Sequence, residues 1–342
     1  MQAVLRTIFC VAGLALGSGP SHAKQVSVHD PVMAKQGNSY YLFSTGPGIT
    51  FYSSQNMRDW KPEGRVFAGQ PTWAKKAAPS FDGHIWAPDI YHHNGKYYLY
   101  YSVSGFGKNT SGIGVTTNAT LDPRAPNYKW EDQGMVLQSV PGRDEWNAID
   151  ANVIDDENGT PWMSFGSFWS GLKLVKLDPS RTRLAEPQEW KAIAARDPAE
   201  LRAKRTTELD AGPGEIEAPH ILKKNGYYYL FASWGLCCKK AASTYHVVVG
   251  RSKALAGPYL DKSGKDMAKG GGSLLIAGDK QWQGVGHNSA YTIDGKDLLV
   301  MHAYETADKY LQKLKILEMK WDQDGWPSVN QEDLNRYQSK QL

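Results

Sequence analysis

Cysteine is scarce in this chain of 342 residues: there are three, and two of them, Cys237 and Cys238, are neighbours. A single adjacent pair cannot staple a domain, so a disulfide framework is excluded. The pair can close a ring on itself or stay as two thiols, and no Cys–His constellation accompanies it to suggest a catalytic thiol. Charge of one sign is equally scarce. The net charge is +4 at pH 7, with Lys and Arg spread along the chain. No basic run interleaves with aromatics, so nothing points to nucleic acid as a partner. Helical periodicity is nearly absent, and only residues 197–209 could pass for a helix or a charged loop. One long apolar run occurs, Thr7 to Leu16, and it is too short to span a membrane. With Arg6 before it and Ser21-His22-Ala23 after it, residues 1–23 read as a secretory signal cleaved after Ala23. Cys10 lies inside that apolar core behind bulky Ile8-Phe9, which does not suit a lipidation site. The mature chain, 24–342, is expected to be secreted, periplasmic or extracellular, and free of the membrane.

Aromatics and glycine are plentiful: 12 Trp, 18 Tyr, 9 Phe and 34 Gly. Without helical periodicity, this composition indicates an all-β protein with binding clefts. Five short segments recur at intervals of roughly 60 to 70 residues, a spacing that marks a repeat architecture. They are His29-Asp30-Pro31-Val32, Ala87-Pro88-Asp89-Ile90, Ile149-Asp150-Ala151-Asn152-Val153, Ile216-Glu217-Ala218-Pro219-His220 and Gly286-His287-Asn288-Ser289-Ala290. Each runs into a glycine-bearing turn: Gln36-Gly37-Asn38, Asn94-Gly95, Asn158-Gly159, Asn225-Gly226 and Asp294-Gly295. Such pairs suit tight hairpins, where positive φ is required. A second strand follows each turn, among them Tyr40 to Phe43, Tyr97 to Tyr101 and Tyr227 to Phe231, and then a third. Gly270-Gly271-Gly272 reads as a loop between the fourth and fifth units, and the tail from Asn330 as closure or surface.

Four short strands per unit and five units predict a single-domain five-bladed β-propeller. A β-sandwich would leave the five-fold recurrence without a cause. In a propeller the first strand of each blade lines the axis, so Asp30, Asp89, Asp150, Glu217 and His287 would converge on one channel mouth. A lone Asp at a strand start is ordinarily a cap. These acids, however, are set among apolar neighbours, where an unpaired carboxylate is costly. Carboxyls converging in a wet, aromatic-lined cleft are what glycoside hydrolysis requires.

At this point the chain resembles the arabinanases of glycoside hydrolase family 43. The likeness rests on Val28-His29-Asp30-Pro31, Ile85-Trp86-Ala87-Pro88-Asp89-Ile90, Asn147-Ala148-Ile149-Asp150, Ser164 to Gly171 (Ser-Phe-Gly-Ser-Phe-Trp-Ser-Gly), Ile216-Glu217-Ala218-Pro219, and Gly235-Leu236-Cys237-Cys238 with Ser243-Thr244-Tyr245. The resemblance implies cleavage of α-1,5-linked L-arabinan, the side chains of pectin, with inversion and by endo action. It implies Asp30 as general base, Glu217 as general acid, and Asp150 as a third carboxylate that orients Glu217 and raises its pKa. Glu215, two residues away, competes for the acid role, and the Glu-Ala-Pro context favours Glu217. His287 is implied to hold calcium, largely through waters, although calcium prefers oxygen ligands. No pair of metal-spaced His or Cys supports zinc. Trp86, Phe106 and Trp169 are candidate sugar platforms, with His29, Asn147 and Ser167 as hydrogen-bonding partners. Asp89 would contact substrate or hold the channel rim.

Within the family, an exo-acting arabinanase or an arabinofuranosidase/xylosidase is the alternative. A non-catalytic propeller lectin is the alternative from another class, but it would carry near-identical sites in each blade. A sialidase would need an arginine cluster that is missing. A monomer is expected.

Overall fold

The computed structural model describes residues 25–196 and 214–336. The expected signal segment and the charged stretch 197–209 therefore lie outside the described residues. Five antiparallel sheets stand in chain order: the first, third and fourth have four strands, the second has four plus the short strand Gly46–Pro47 on its inner edge, and the fifth has three. Their first strands are Val32–Gln36, His84–His93, Asn152–Asp155, Ile216–Lys224 and Trp282–Ile293. Each of these touches the first strand of the next blade, and the fifth touches the first. That closed circuit is the propeller axis.

The aromatic second strands have a simple physical reason. Side chains alternate between the two faces of a strand, and a blade is covered on both faces by its neighbours, so both sets must be apolar. In Ser39–Ser44, Tyr41 and Phe43 enter the core shared with blade two, while Leu42 enters the core shared with blade five. In Tyr227–Trp234, Tyr228 and Leu230 face blade three, and Tyr229 and Phe231 face blade five. Five hydrophobic clusters result, one in each wedge between adjacent blades. Truncating a fully buried aromatic such as Phe231 to Ala is expected to cost roughly 3–5 kcal/mol. The hairpin turns are as anticipated, with positive φ at Asn94-Gly95, Asn225-Gly226 and Asp294-Gly295.

Two details differ from the sequence reading. Gly270-Gly271-Gly272 does not separate blades; it leads into Ser273–Ala277, the outer strand of blade four. Among the described residues blade five has three strands in its sheet, and segments near both chain ends take over its outer edge. Leu314 donates its N–H to the Val26 carbonyl. Buried Lys315 lies 3.1 Å over the Trp282 ring and donates to the Leu334 carbonyl. The tail from Asn330 is thus closure, carried by the short helix Asp333–Arg336.

Candidate active site

One residue per blade, just before the first strand in blades one and three and at a bulge within it in the others, takes a left-handed backbone: Asp30 (φ 51), Ala87 (φ 43), Asp150 (φ 60), Ala218 (φ 54) and His287 (φ 51). For a non-glycine residue this costs on the order of 1–2 kcal/mol, so something must hold each one. The holder is the preceding blade. The N–H of Asp30 donates to His302 Nδ1 (3.2 Å), that of Ala87 to Thr45 Oγ1 (2.8 Å), that of Asp150 to Ser102 Oγ (3.1 Å) and that of His287 to Ser233 Oγ (2.9 Å). These holders occupy one equivalent position, two residues beyond the partner of the strand pair. In blade three that position is Gly166, which has no side chain to offer. There Asp150 Oδ2 accepts the Ala218 N–H instead, at 3.1 Å. The kink turns side chains toward the axis, and the third carboxylate doubles as the brace for the backbone beside Glu217.

The five ionisable residues of the sequence repeat are therefore not one structural register. Asp30, Asp150 and His287 share the kinked position. Glu217 stands one residue before it and Asp89 two beyond. The last of these lies a layer deeper, 2% exposed, where Val153 N–H donates to Asp89 Oδ2 (2.9 Å) and Asn152 Nδ2 to Oδ1 (3.3 Å). It clasps two blades and presents no open face to a ligand.

Asp30, 6% exposed, is surrounded by imidazoles. Its Oδ1 lies 2.7 Å from His29 Nδ1, 3.0 Å from His287 Nδ1 and 3.7 Å from His302 Nδ1, while Thr45 donates its hydroxyl to Oδ2. His29 Nδ1 faces Oδ1 in close ion-pair contact, but no ring N–H is well aligned with it, so Oδ1 makes no hydrogen bond of good geometry. Burial pushes this carboxyl up, but His287 and His29, with smaller help from His302, outweigh it and hold Asp30 well below the usual carboxylate range. Asp150 goes the opposite way. Burial first, then the charges of Glu217 and Asp30, raise it well above that range. Glu217 accepts a hydrogen bond from Ser167 Oγ (2.7 Å), and the buried Tyr245 hydroxyl stands in its field. Glu215 is held by Arg196 at 2.9 Å, an engagement that a free acid would not have.

The aromatic candidates separate by exposure. Phe106 is 71% exposed, with Lys239 of blade four 5.4 Å over its ring, and Trp86 is half-buried. Trp169 is 4% exposed, so it has no open stacking face; what it holds is a buried, unpaired indole N–H. Asn147 is likewise buried, its side-chain oxygen unpaired. Cys237 and Cys238 are joined in a disulfide. Thr45, His302 and Tyr304 escaped the sequence reading. The first two sit at a repeat-equivalent position in or just past the second strands, a signal that aligning those strands would have exposed.

For calcium the donor set is poor. Among the described residues, the groups of three potential ligand atoms within 4.8 Å of one another are His29 with Cys237 and Cys238, and His29 with Asp30 and His302. His287 belongs to neither, and two imidazoles with one carboxylate are not the oxygen-rich set that calcium takes. A protein-built calcium cage does not fit these residues.

Fold and site together define a propeller with an acid–base cluster at its axial mouth, the equipment of a carbohydrate-cleaving enzyme. The chain belongs to the glycosyl hydrolases family 43, whose family model matches residues 23–327. It is 62% identical to the extracellular exo-α-(1→5)-L-arabinofuranosidase ArbA of Cellvibrio japonicus, over 97% of this chain and 93% of that one. It is 40% identical to the extracellular endo-α-(1→5)-L-arabinanase 1 of Bacillus subtilis, over 88% of this chain and 87% of the relative. The solved α-L-arabinanase of Cellvibrio cellulosa in complex with arabinohexaose superposes with a TM-score of 0.90 at 63% identity, covering 93% of this chain and all of the other. The chain is a glycosidase of the arabinanase type, and its five-bladed fold is that of these relatives.

Proposed function

We propose that this enzyme is secreted and hydrolyses α-1,5-linked L-arabinan with inversion, Asp30 acting as general base and Glu217 as general acid. The observation that carries the roles is the opposite treatment of two carboxyls at the same backbone position. Asp30 is kept ionised by imidazoles and has one oxygen unspent. Asp150 is kept proton-loving by burial and by its neighbour Glu217. A water between Asp30 Oδ1 and the anomeric carbon would pass a proton to Asp30 while its oxygen attacks. The glycosidic C–O bond then breaks, and its oxygen leaves with the proton of Glu217, which Ser167 holds in place. One water is consumed, and the configuration inverts because attack and departure occur on opposite faces. Asp150 acts through the Ala218 N–H and through charge.

The resemblance alone favoured endo action. The degree of similarity favours release from a chain end, since the 62% relative is named as exo-acting and the 40% relative as endo-acting. Secretion is supported by the word extracellular in both names. Calcium narrows to a hydrated ion touching the protein only at the His287 imidazole, checked by calorimetric titration of Ca²⁺ into wild type and His287→Ala.

The test is product analysis on linear debranched arabinan, with Glu217→Gln and Asp30→Asn beside wild type. One short product of inverted configuration from wild type, and a loss of about 10²–10⁴-fold in either variant, is expected. Mixed oligosaccharides would move the reading to endo action. Binding without cleavage by wild type would replace it with a lectin.

A further inference from the structure

The disulfide, Tyr304 and His29 form a chain of contacts that ends on the general base. The Cys238 N–H donates to the Tyr304 hydroxyl oxygen at 3.1 Å, and that hydroxyl stands 2.9 Å from His29 Nε2. His29 Nδ1 in turn lies 2.7 Å from Asp30 Oδ1. A phenol has one proton. Burial raises the Tyr304 pKa, so it keeps that proton. That proton has two acceptors in reach, Cys238 Sγ at 3.8 Å and His29 Nε2 at 2.9 Å, and the nearer imidazole nitrogen is much the stronger acceptor, so the proton is directed to His29 Nε2. A neutral imidazole that accepts at Nε2 must carry its own proton on Nδ1, the nitrogen facing Asp30.

Each link is fixed from behind. The Tyr304 ring packs edge-on to His302 with centroids 5.3 Å apart, and a Cβ on Gly284 would come within 2.4 Å of it. The His29 ring is stacked on His302 at 4.1 Å. Cys238 has a left-handed backbone (φ 63) inside the vicinal disulfide, in a loop closed by Thr244 N–H to Leu236 O (3.0 Å) and Lys239 N–H to Ser243 Oγ (3.0 Å). Cys238 is exposed and Cys237 half-buried, so solvent reaches the bond.

We propose that Tyr304 is a positioning residue, which sets the His29 tautomer against Asp30 and takes its own orientation from the backbone held by the Cys237–Cys238 disulfide. The proposal rests on the base assignment above for its kinetic consequence but not for its structural one. A dithiol reductant would deliver two electrons and two protons, becoming a cyclic disulfide while both cysteines become thiols. The eight-membered ring would open, and the Cys238 N–H would lose its fixed direction.

The first readout needs no activity. Long-range ¹H–¹⁵N spectra in alkaline buffer, where the imidazole is neutral, should show His29 protonated on Nδ1 in wild type. In Tyr304→Phe they should show a mixture of tautomers. An unchanged tautomer overturns the proposal, even if the enzyme proves not to cleave arabinan. The second readout is kinetic: Tyr304→Phe is expected to lower kcat about tenfold with KM within twofold, since misplacing a catalytic group costs up to about 10². A raised KM with kcat intact would make Tyr304 a substrate contact and overturn it. In the third, dithiol treatment should lower kcat of wild type but add little in Tyr304→Phe, because both act on one chain of contacts. Losses that simply multiply would overturn the coupling to the disulfide.

Discussion

Two layers of residues line the axis of this propeller, two residues apart in each blade, and their polar members behave in opposite ways. In the lower layer nearly every polar atom is committed to the neighbouring blade. Asp89 takes the Val153 N–H, Asn152 Oδ1 takes the Ile221 N–H, His220 Nε2 meets the Ala290 carbonyl, and Ser289 Oγ donates to the Pro31 carbonyl. Only Val32 breaks the circuit, with an apolar side chain. In the upper layer Asp30 Oδ1 has no hydrogen bond of good geometry, and Asp150 crowds Glu217. Neighbouring positions of one scaffold supply stability where their valences are spent and chemistry where they are left open. A buried polar atom without a partner is costly, and such costs collect at functional sites.

The comparison is most exposed to failure at Asp150. Replacing it by Asn keeps an acceptor for the Ala218 N–H but removes a carboxyl whose ionisation is resisted by burial, by Glu217 and by Asp30. Activity should fall by about 10² or more, while stability at neutral pH should hold or rise, because the buried group no longer ionises at a cost. Steady-state kinetics beside thermal unfolding decides this. A destabilised but active variant would mean that the upper layer is structural after all.

The lower layer should show the reverse, and pH separates its two titrating members. Burial pushes Asp89 up to about 7 and pulls His220 down to about 4. For Asp89 the folded state holds its proton more tightly than the unfolded chain, so stability is greatest below about pH 4 and falls as pH rises toward 7. For His220 the folded state resists protonation, so stability is greatest above about pH 6.5 and falls as pH drops toward 4. At roughly 1.4 kcal/mol per pH unit, each effect is worth up to a few kcal/mol, and in wild type they oppose each other. Relative to wild type, Asp89→Asn should therefore gain stability as pH rises from 4 to 7, and His220→Gln as pH falls from 6.5 to 4. Denaturant unfolding across that range is the measurement, with KM on arabinan unchanged in both variants. Parallel rather than opposed slopes would show that the layer does not titrate as these contacts require.

The sequence made the blades legible because each second strand is apolar on both faces and follows a turn that bears glycine, Asn-Gly or Asp-Gly in four of the five. That pattern has one architectural reading once it recurs five times. The site was legible as a cluster but not as a register. Counting ionisable residues aligned Asp89 and Glu217 with Asp30, whereas the left-handed backbone aligns Ala87 and Ala218. Alanine carries no chemical signal, so only the backbone could reveal the equivalence. His302 and Tyr304 lie on a second strand and Thr45 just past one, where the sequence pattern marks strands rather than sites. Trp169 looked like a platform because a Trp in a Gly-Ser-rich run is chemically suited to one, but burial is a property of packing and is not written in composition.

Above both layers stands the rim, where the comparison predicts the smallest effect. Phe106 is 71% exposed and its ring meets Lys239, from the loop of another blade, at 5.4 Å. An exposed cation–π contact is worth about 0.5–1 kcal/mol, and little of that is net stability. Truncation to Ala removes a flat apolar face without opening a cavity, so the fold should lose almost nothing. What goes is a surface on which a sugar ring can stack. KM on polymeric arabinan should rise about threefold to tenfold, with kcat and the melting temperature nearly unchanged, whereas Trp169→Ala, which empties a packed site, should lower the melting temperature clearly. If Phe106→Ala instead destabilised the fold, the bridge to Lys239 would belong with the spent contacts of the lower layer, and the boundary between structure and chemistry would run outside the rim.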